Sequence, residues 1–243
     1  MRRAGFGWTS RMIDAPMSIR TTISNYYRNN ASRSNQKTML GALGEGNIQV
    51  EYVHTMKHIF ERAYNGSTFI EKTPGPSAVV AMKFILELWP NARMIFAKRR
   101  VIESIMSAQR KFPHASFEWC CENWAQSMSA WRRVRLTAAN QTEVEQLTMA
   151  RYPLEAARDL GRFLELDDDM ISRLGKSFGK RPQSTQGGGD ALDVLSLEDS
   201  GWSEEQKALF VTICGEEMRA FGYTYDRQYS SKPSSEDAAR EVI

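Results

Sequence analysis

Met94-Ile95-Phe96-Ala97 is a run of four apolar residues that stops abruptly on three cations, Lys98-Arg99-Arg100. Apolar runs this short, bounded by turn signals, form strands buried on both faces. What precedes the run restricts the fold further. Thr68-Phe69-Ile70-Glu71-Lys72 is a second strand-like segment, closed by Thr73-Pro74-Gly75-Pro76, whose prolines cannot continue a ladder. Ser77 is placed to cap a helix reaching Trp89, with Val79, Val80, Met82, Phe84, Ile85, Leu86 and Leu88 apolar nearly all round it, and Pro90-Asn91-Ala92 ends it. Strand, helix and strand within about 30 residues make a βαβ unit, so the two strands should run parallel. Their carboxyl ends then lie side by side, which puts Lys72 and Arg99 at the sheet edge where α/β proteins bind ligands.

Beyond this unit, helices are expected over about Val101–Arg110 and Phe117–Leu136. In the second, Phe117, Cys121, Trp124, Met128 and Trp131 form one apolar stripe suited to core packing rather than to a cofactor. Val144–Met149 reads as a third strand. Pro153 opens an amphipathic helix to Glu165 with Leu154, Ala157, Leu160 and Leu164 inward, and Asp167-Asp168-Asp169 reads as a solvated cap. Ser203 and Gln206 make a capping box for a helix carrying Phe210, Ile213, Cys214 and Met218, which Gly222 stops. The class is α/β with more helix than strand. One domain over residues 1–229 is expected, followed by a disordered tail, 230–243, too poor in apolar residues to bury itself. Residues 18–37 are polar, and the glycine-rich stretch 179–189 reads as a mobile loop able to approach a ligand.

Composition removes several classes. With 42% hydrophobic and 25% charged residues among 243, the chain is neither disordered nor fibrous. A net charge of +3 is too small to announce a nucleic-acid binder, so any anion site must be local. No apolar run approaches the roughly 18 residues that cross a bilayer. Two arginines at the start have no apolar stretch behind them, so no secretory signal is read and a cytoplasmic protein is expected. Cys120, Cys121 and Cys214 form no CxxC pair and suit reduced thiols.

The sharpest constellation is Arg99 with Ser107, the arginine closing a strand and the serine within the helix that follows. A guanidinium fork and a hydroxyl converging from a strand end and the next helix suit a phosphate, which takes charge and several donors at once. The bland alternative makes Arg99 and Arg100 surface charges, Ser107 a helix-face residue and Lys72 a solvated strand end.

Glu71-Lys72-Thr73-Pro74, the helix ending Leu88-Trp89-Pro90-Asn91-Ala92, the strand Met94–Ala97, and Arg99 with Ser107 together resemble the middle of a sulfotransferase that uses 3′-phosphoadenosine 5′-phosphosulfate (PAPS), closest to the bacterial and tyrosylprotein-type branches. The likeness continues more loosely through Trp124, Trp131, Pro153–Leu166 and Gly201-Trp202 to Tyr223, with its specific part confined to residues 69–107. It implies a P-loop-NTPase-like three-layer sandwich around a central parallel sheet, and sulfuryl transfer without a metal. It also implies roles: Arg99 and Ser107 on the donor's 3′-phosphate, Lys72 neutralising charge on the departing phosphate, and Lys180 and Arg181 in a late loop closing over the nucleotide. A catalytic carboxylate or histidine is implied between the phosphate loop and the lysine strand, where Glu51, His54 and Glu71 stand. The expected acceptor is a small molecule, carbohydrate or peptide, bound by residues 12–66 and 111–118, with no nucleic-acid or membrane partner.

One departure from the pattern sets up an alternative. The family opens with a strand and a "PRSGTT"-like loop gripping the 5′-phosphosulfate, and here only Gly5-Phe6-Gly7-Trp8-Thr9-Ser10-Arg11 comes near it. The loop is therefore read as absent or degenerate, and a noncatalytic or truncated relative that binds adenosine bisphosphate or a protein partner stands as the second reading. A third, a helical interaction protein built on the tryptophan stripe, fails if the strand segments are paired. Glu51, His54 and His58 lie near one helix face but lack the HExxH arrangement of a zinc site.

Overall fold

In the computed structural model, which describes residues 19–25, 44–65, 75–135, 140–180 and 194–231, the chain divides into two units after Ala92. In the first, residues 19–25 are helical, and α1 (Glu45–Tyr64) follows Gly44 and ends at Asn65, whose left-handed backbone closes the last turn. Helix α2 (Pro76–Leu88) starts two residues earlier than a cap at Ser77 would dictate. Gly75 takes a φ of 102°, and Pro76 occupies the first helical position, where a missing N–H leaves nothing unpaired. Ser77 is exposed and makes no cap. The buried face of α2 is Ala78, Val79, Ala81, Phe84 and Leu88, while Val80 faces out. Tyr52 of α1 stacks on Phe84 at 6.4 Å and Phe60 meets Trp89 edge-on at 5.6 Å. Arg20 pairs with Glu87 at 2.6 Å. The expected strand at Thr68–Lys72 lies outside the described residues.

The second unit is built on a parallel pair of strands. β1 (Met94–Lys98) pairs with β2 (Gln141–Glu145) in the register Met94↔Gln141 through Lys98↔Glu145. Between them run α3 (Val101–Lys111) and α4 (Phe117–Arg135). β1 is not buried on both faces: Met94 is buried and Phe96 half-buried, whereas Ile95 and Ala97 are exposed. Trp131 of α4 covers the inner face, its ring stacked on Phe96 at 4.6 Å. The third strand therefore sits earlier than Val144–Met149. Thr142 and Val144 are the β-branched residues of β2, and Gln146-Leu147-Thr148-Met149-Ala150-Arg151, rich in strong helix formers, becomes α5 (Gln146–Arg151) instead.

Helices α6 (Pro153–Leu164) and α7 (Asp168–Lys180) pack closely because small residues line their contact. A Cβ added to Gly161 would stand 2.3 Å from Cγ1 of Ile171, so this approach requires glycine. The buried residues of α6 are accordingly Ala156, Ala157 and Gly161, and Leu154, expected inward, is 45% exposed. The Asp167 carboxylate caps α7 by accepting the Met170 N–H at 2.7 Å. Near the end, a 3₁₀ turn (Glu198–Ser200) leads to α8 (Glu204–Ala220), opened by the expected Ser203–Gln206 capping box. α8 lies against α4, where the tryptophan stripe is core as expected: Cys121, Met128 and Trp131 are almost wholly buried, and the Cys214 thiol meets the Cys121 carbonyl. The three cysteines are free thiols.

Gly222, at a φ of 73°, ends α8 and starts a turn that comes back on itself. Tyr223 and Ser230 form an antiparallel bridge, and the Ser231 N–H reaches the Gly222 carbonyl at 2.8 Å. Residues 230 and 231, assigned from sequence to the tail, are thus held by backbone bonds; 232–243 lie outside the described residues. The turn is tied to the 3₁₀ segment by Arg227, whose Nε donates to Asp199 at 3.0 Å, with the Ser196 hydroxyl on the same carboxylate. Those two donors hold the Asp199 carboxyl well below its ordinary value, at about 2. Because the folded pKa is the lower one, this carboxylate's contribution to stability is complete above the unfolded value, near 3.8, and is lost as the pH falls through about 2. An NMR titration of Asp199 should give a midpoint near 2 that moves up in Arg227→Ala. A midpoint unmoved by the substitution would contradict this tie. No described helix is long and apolar enough to cross a membrane.

Candidate functional site

The carboxyl ends of β1 and β2 meet in register at Lys98 and Glu145, and several polar side chains gather there. The Lys98 ammonium donates to Glu143 at 2.5 Å and lies over the Phe221 ring, while the Trp131 indole donates to the other Glu143 oxygen at 2.8 Å. Glu145 accepts two phenols, Tyr229 and Tyr223, each at 2.5 Å. Burial pushes the Glu145 carboxyl above its ordinary value, opposed by those two hydroxyls and by Lys98. Burial and the same carboxylate push both tyrosines up, so the phenols stay protonated and donate.

Arg100 is completely buried. Its Nε donates to Glu103 at 3.0 Å and Nη2 to the other Glu103 oxygen, a bidentate fork. Nη1 donates to the carbonyls of Asp226 at 2.6 Å and Thr224 at 3.1 Å, and Nη2 also to that of Leu195. The Tyr229 ring lies 5.0 Å from its guanidinium carbon. A surface charge is therefore the wrong reading of Arg100: this side chain pins the carboxyl-terminal turn to the strand edge.

Arg99 is different. It is half-buried at the end of β1, and its Nε is sealed from solvent without any hydrogen-bond partner. Burial lowers its pKa, an effect opposed by Glu103, Tyr229 and Glu145 and reinforced by Arg100. A buried N–H left unmet is costly, and a guanidinium in that condition at the ligand edge of a parallel sheet suits an incoming anion. Its backbone is fixed: the Arg99 carbonyl accepts the Trp124 indole N–H at 2.9 Å and the Ser104 hydroxyl at 3.4 Å. Ser107, half-buried, lies in the second turn of α3, on the helix that leaves this strand end.

The other residues singled out from sequence lie on other segments of the chain. Glu51 and His54 are exposed on α1 of the first unit. Lys72, Glu71 and Arg181 lie outside the described residues, and Lys180 is the last residue of α7. Among the described residues no group of three or more His, Cys, Asp or Glu is arranged to hold a metal ion. Sequence reasoning missed Arg100, Glu145, Tyr223 and Tyr229. The signal available was the aromatic density of Phe221-Gly222-Tyr223-Thr224-Tyr225 and Tyr229, uncommon in a segment bound for solvent.

Two parallel strands followed by helices, with the partnerless Arg99 Nε at their carboxyl edge, place the second unit in the α/β class. The chain belongs to the sulfotransferase family: the profile described as the sulfotransferase family matches residues 10–170, which include β1, Arg99 and Ser107. The P-loop-like α/β class is that of the family, here with more helix than strand among the described residues. No curated protein and no solved structure matches the chain significantly.

Proposed function

We propose that this protein transfers a sulfuryl group from PAPS to a hydroxyl or amine of a small-molecule, carbohydrate or peptide acceptor. The observation that carries the reading is the buried, partnerless Nε of Arg99, at a sheet edge within the segment that the family profile matches. PAPS supplies the activated sulfuryl group, and adenosine 3′,5′-bisphosphate is the product left behind. Arg99 and Ser107 would hold the 3′-phosphate, which separates this donor from ATP. Lys72 would stand against the negative charge that grows on the departing phosphate as the acceptor oxygen or nitrogen bonds to sulfur and the sulfur–phosphate oxygen bond breaks. The acceptor's proton would pass to a base, for which Glu51 and His54 are the candidates, and Lys180 and Arg181 would close on the nucleotide. No step calls for a metal.

Calorimetric titration with adenosine 3′,5′-bisphosphate and with 5′-AMP tests the donor site. The bisphosphate should bind more tightly, and Arg99→Ala should weaken it by about tenfold to a hundredfold, the worth of charge-assisted hydrogen bonds, while leaving 5′-AMP little changed. Equal affinity for the two nucleotides, or an Arg99→Ala variant that binds the bisphosphate normally, would remove Arg99 from the donor site.

A further inference from the structure

One peptide group at the sheet edge is held from both ends. The carbonyl of Arg99 accepts the Trp124 indole N–H at 2.9 Å, and the N–H of Arg100, which belongs to the same peptide unit, donates to the Tyr229 hydroxyl at 3.0 Å. The phenol can accept there because its own proton is committed to Glu145 at 2.5 Å. Glu145 is fixed in turn by its place in the strand register opposite Lys98 and by Tyr223. Tyr229 itself sits at a φ of 72°, in the left-handed region that a bulky residue seldom adopts. Such a conformation persists only where its surroundings over-determine it, and it concentrates at functional sites. Here the surroundings are the Thr224 N–H on the Tyr229 carbonyl at 3.0 Å, the Glu145 carboxylate on its hydroxyl and the Arg100 guanidinium over its ring.

The adjacent Arg99 side chain has the opposite character, a buried Nε with nothing to bond. A rigid peptide carrying a guanidinium with a partnerless Nε suits preorganised anion binding, because the long side chain then loses less freedom when the anion arrives. We infer that Tyr229, held by Glu145, and Trp124 are positioning residues that clamp the Arg99–Arg100 peptide and so aim the Arg99 guanidinium at the 3′-phosphate. The carboxyl-terminal turn, which lies beyond the segment matching the family profile, thereby becomes part of the donor site. This inference rests on the reading of Arg99 given above.

The test compares adenosine 3′,5′-bisphosphate with 5′-AMP on the wild type, Arg99→Ala, Tyr229→Phe and Trp124→Phe. Both variants keep a ring in place: Trp124→Phe removes the indole bond to the Arg99 carbonyl, and Tyr229→Phe removes the bond from the Arg100 N–H together with the one to Glu145. Each should weaken the bisphosphate about fivefold to tenfold, the worth of one buried hydrogen bond, with 5′-AMP affinity unchanged, so that selectivity for the 3′-phosphate falls. A merely structural role would weaken both nucleotides alike or neither, and either result with Arg99→Ala still selective in its loss would overturn the clamp while sparing the donor site. If Arg99→Ala itself leaves the bisphosphate unaffected, the donor-site reading fails and the clamp with it. Should Tyr229→Phe not fold, the Trp124→Phe result decides, since its bond reaches the same peptide from the other end.

Discussion

Arg100→Ala is expected to destabilise the second unit by about 3–5 kcal/mol, the usual loss when one partner of a buried ion pair is removed. The Arg100 side chain serves Glu103 and three main-chain carbonyls, those of Leu195, Thr224 and Asp226, from a fully buried position. Its removal strands the Glu103 carboxylate in the interior and releases the turn that carries Tyr229. Lysine cannot replace it, because an ammonium has no planar fork to serve a carboxylate and several carbonyls together. Urea unfolding measures the effect as a lowered midpoint with little change in slope. Replacing both partners, as Arg100→Met with Glu103→Leu, should recover part of the loss, since no charge is then left alone. A loss below about 1 kcal/mol for Arg100→Ala, the range of an exposed pair, would show that this network does not hold the edge together.

How far such a site can be read in advance depends on the range of the forces that build it. The strand at Met94–Lys98, the helices on either side of it and the Ser203–Gln206 cap follow from local signals: apolar runs, proline, glycine and a capping pattern spaced three residues apart. The place of Arg99 was legible for the same reason, since a residue directly after a strand of a parallel sheet falls at the sheet's carboxyl edge. Arg100 was not. It shares the run Lys98-Arg99-Arg100 with a neighbour of the same type, and what separates them is nonlocal. Carbonyls more than ninety residues away in sequence converge on Arg100, and none among the described residues converges on Arg99. Trp124 shows the same limit in another form: its spacing announced a core residue, and it is one, yet its indole N–H also holds the site's backbone. Helical periodicity reports which face is inward but says nothing of what a polar atom on that face will meet. The boundary between β2 and α5 was displaced because Val144 alone suggested a strand onward, whereas the pairing with β1 runs out at Glu145.

Lys72→Ala should lower the rate of sulfuryl transfer by about a hundredfold to a thousandfold, the range for removing one preorganised electrostatic stabiliser of a transition state, while leaving the affinity for adenosine 3′,5′-bisphosphate within a few fold. The division follows from where charge changes. The 3′-phosphate has the same charge before and during the reaction, so Arg99 bound to it would contribute to ground state and transition state alike and its loss would appear in binding. The bridging oxygen gains charge only as its bond to sulfur breaks, so an ammonium beside it contributes to the rate. The purified protein supplied with sulfur-labelled PAPS and a panel of hydroxyl and amine acceptors tests sulfuryl transfer most directly. A labelled sulfated product should form one for one with adenosine 3′,5′-bisphosphate, and a Lys72→Ala variant should bind the nucleotide yet turn over hundreds of times more slowly. A folded wild type that binds the bisphosphate through Arg99 but leaves PAPS intact with every acceptor would contradict transfer and make this chain a noncatalytic nucleotide-binding member of its family.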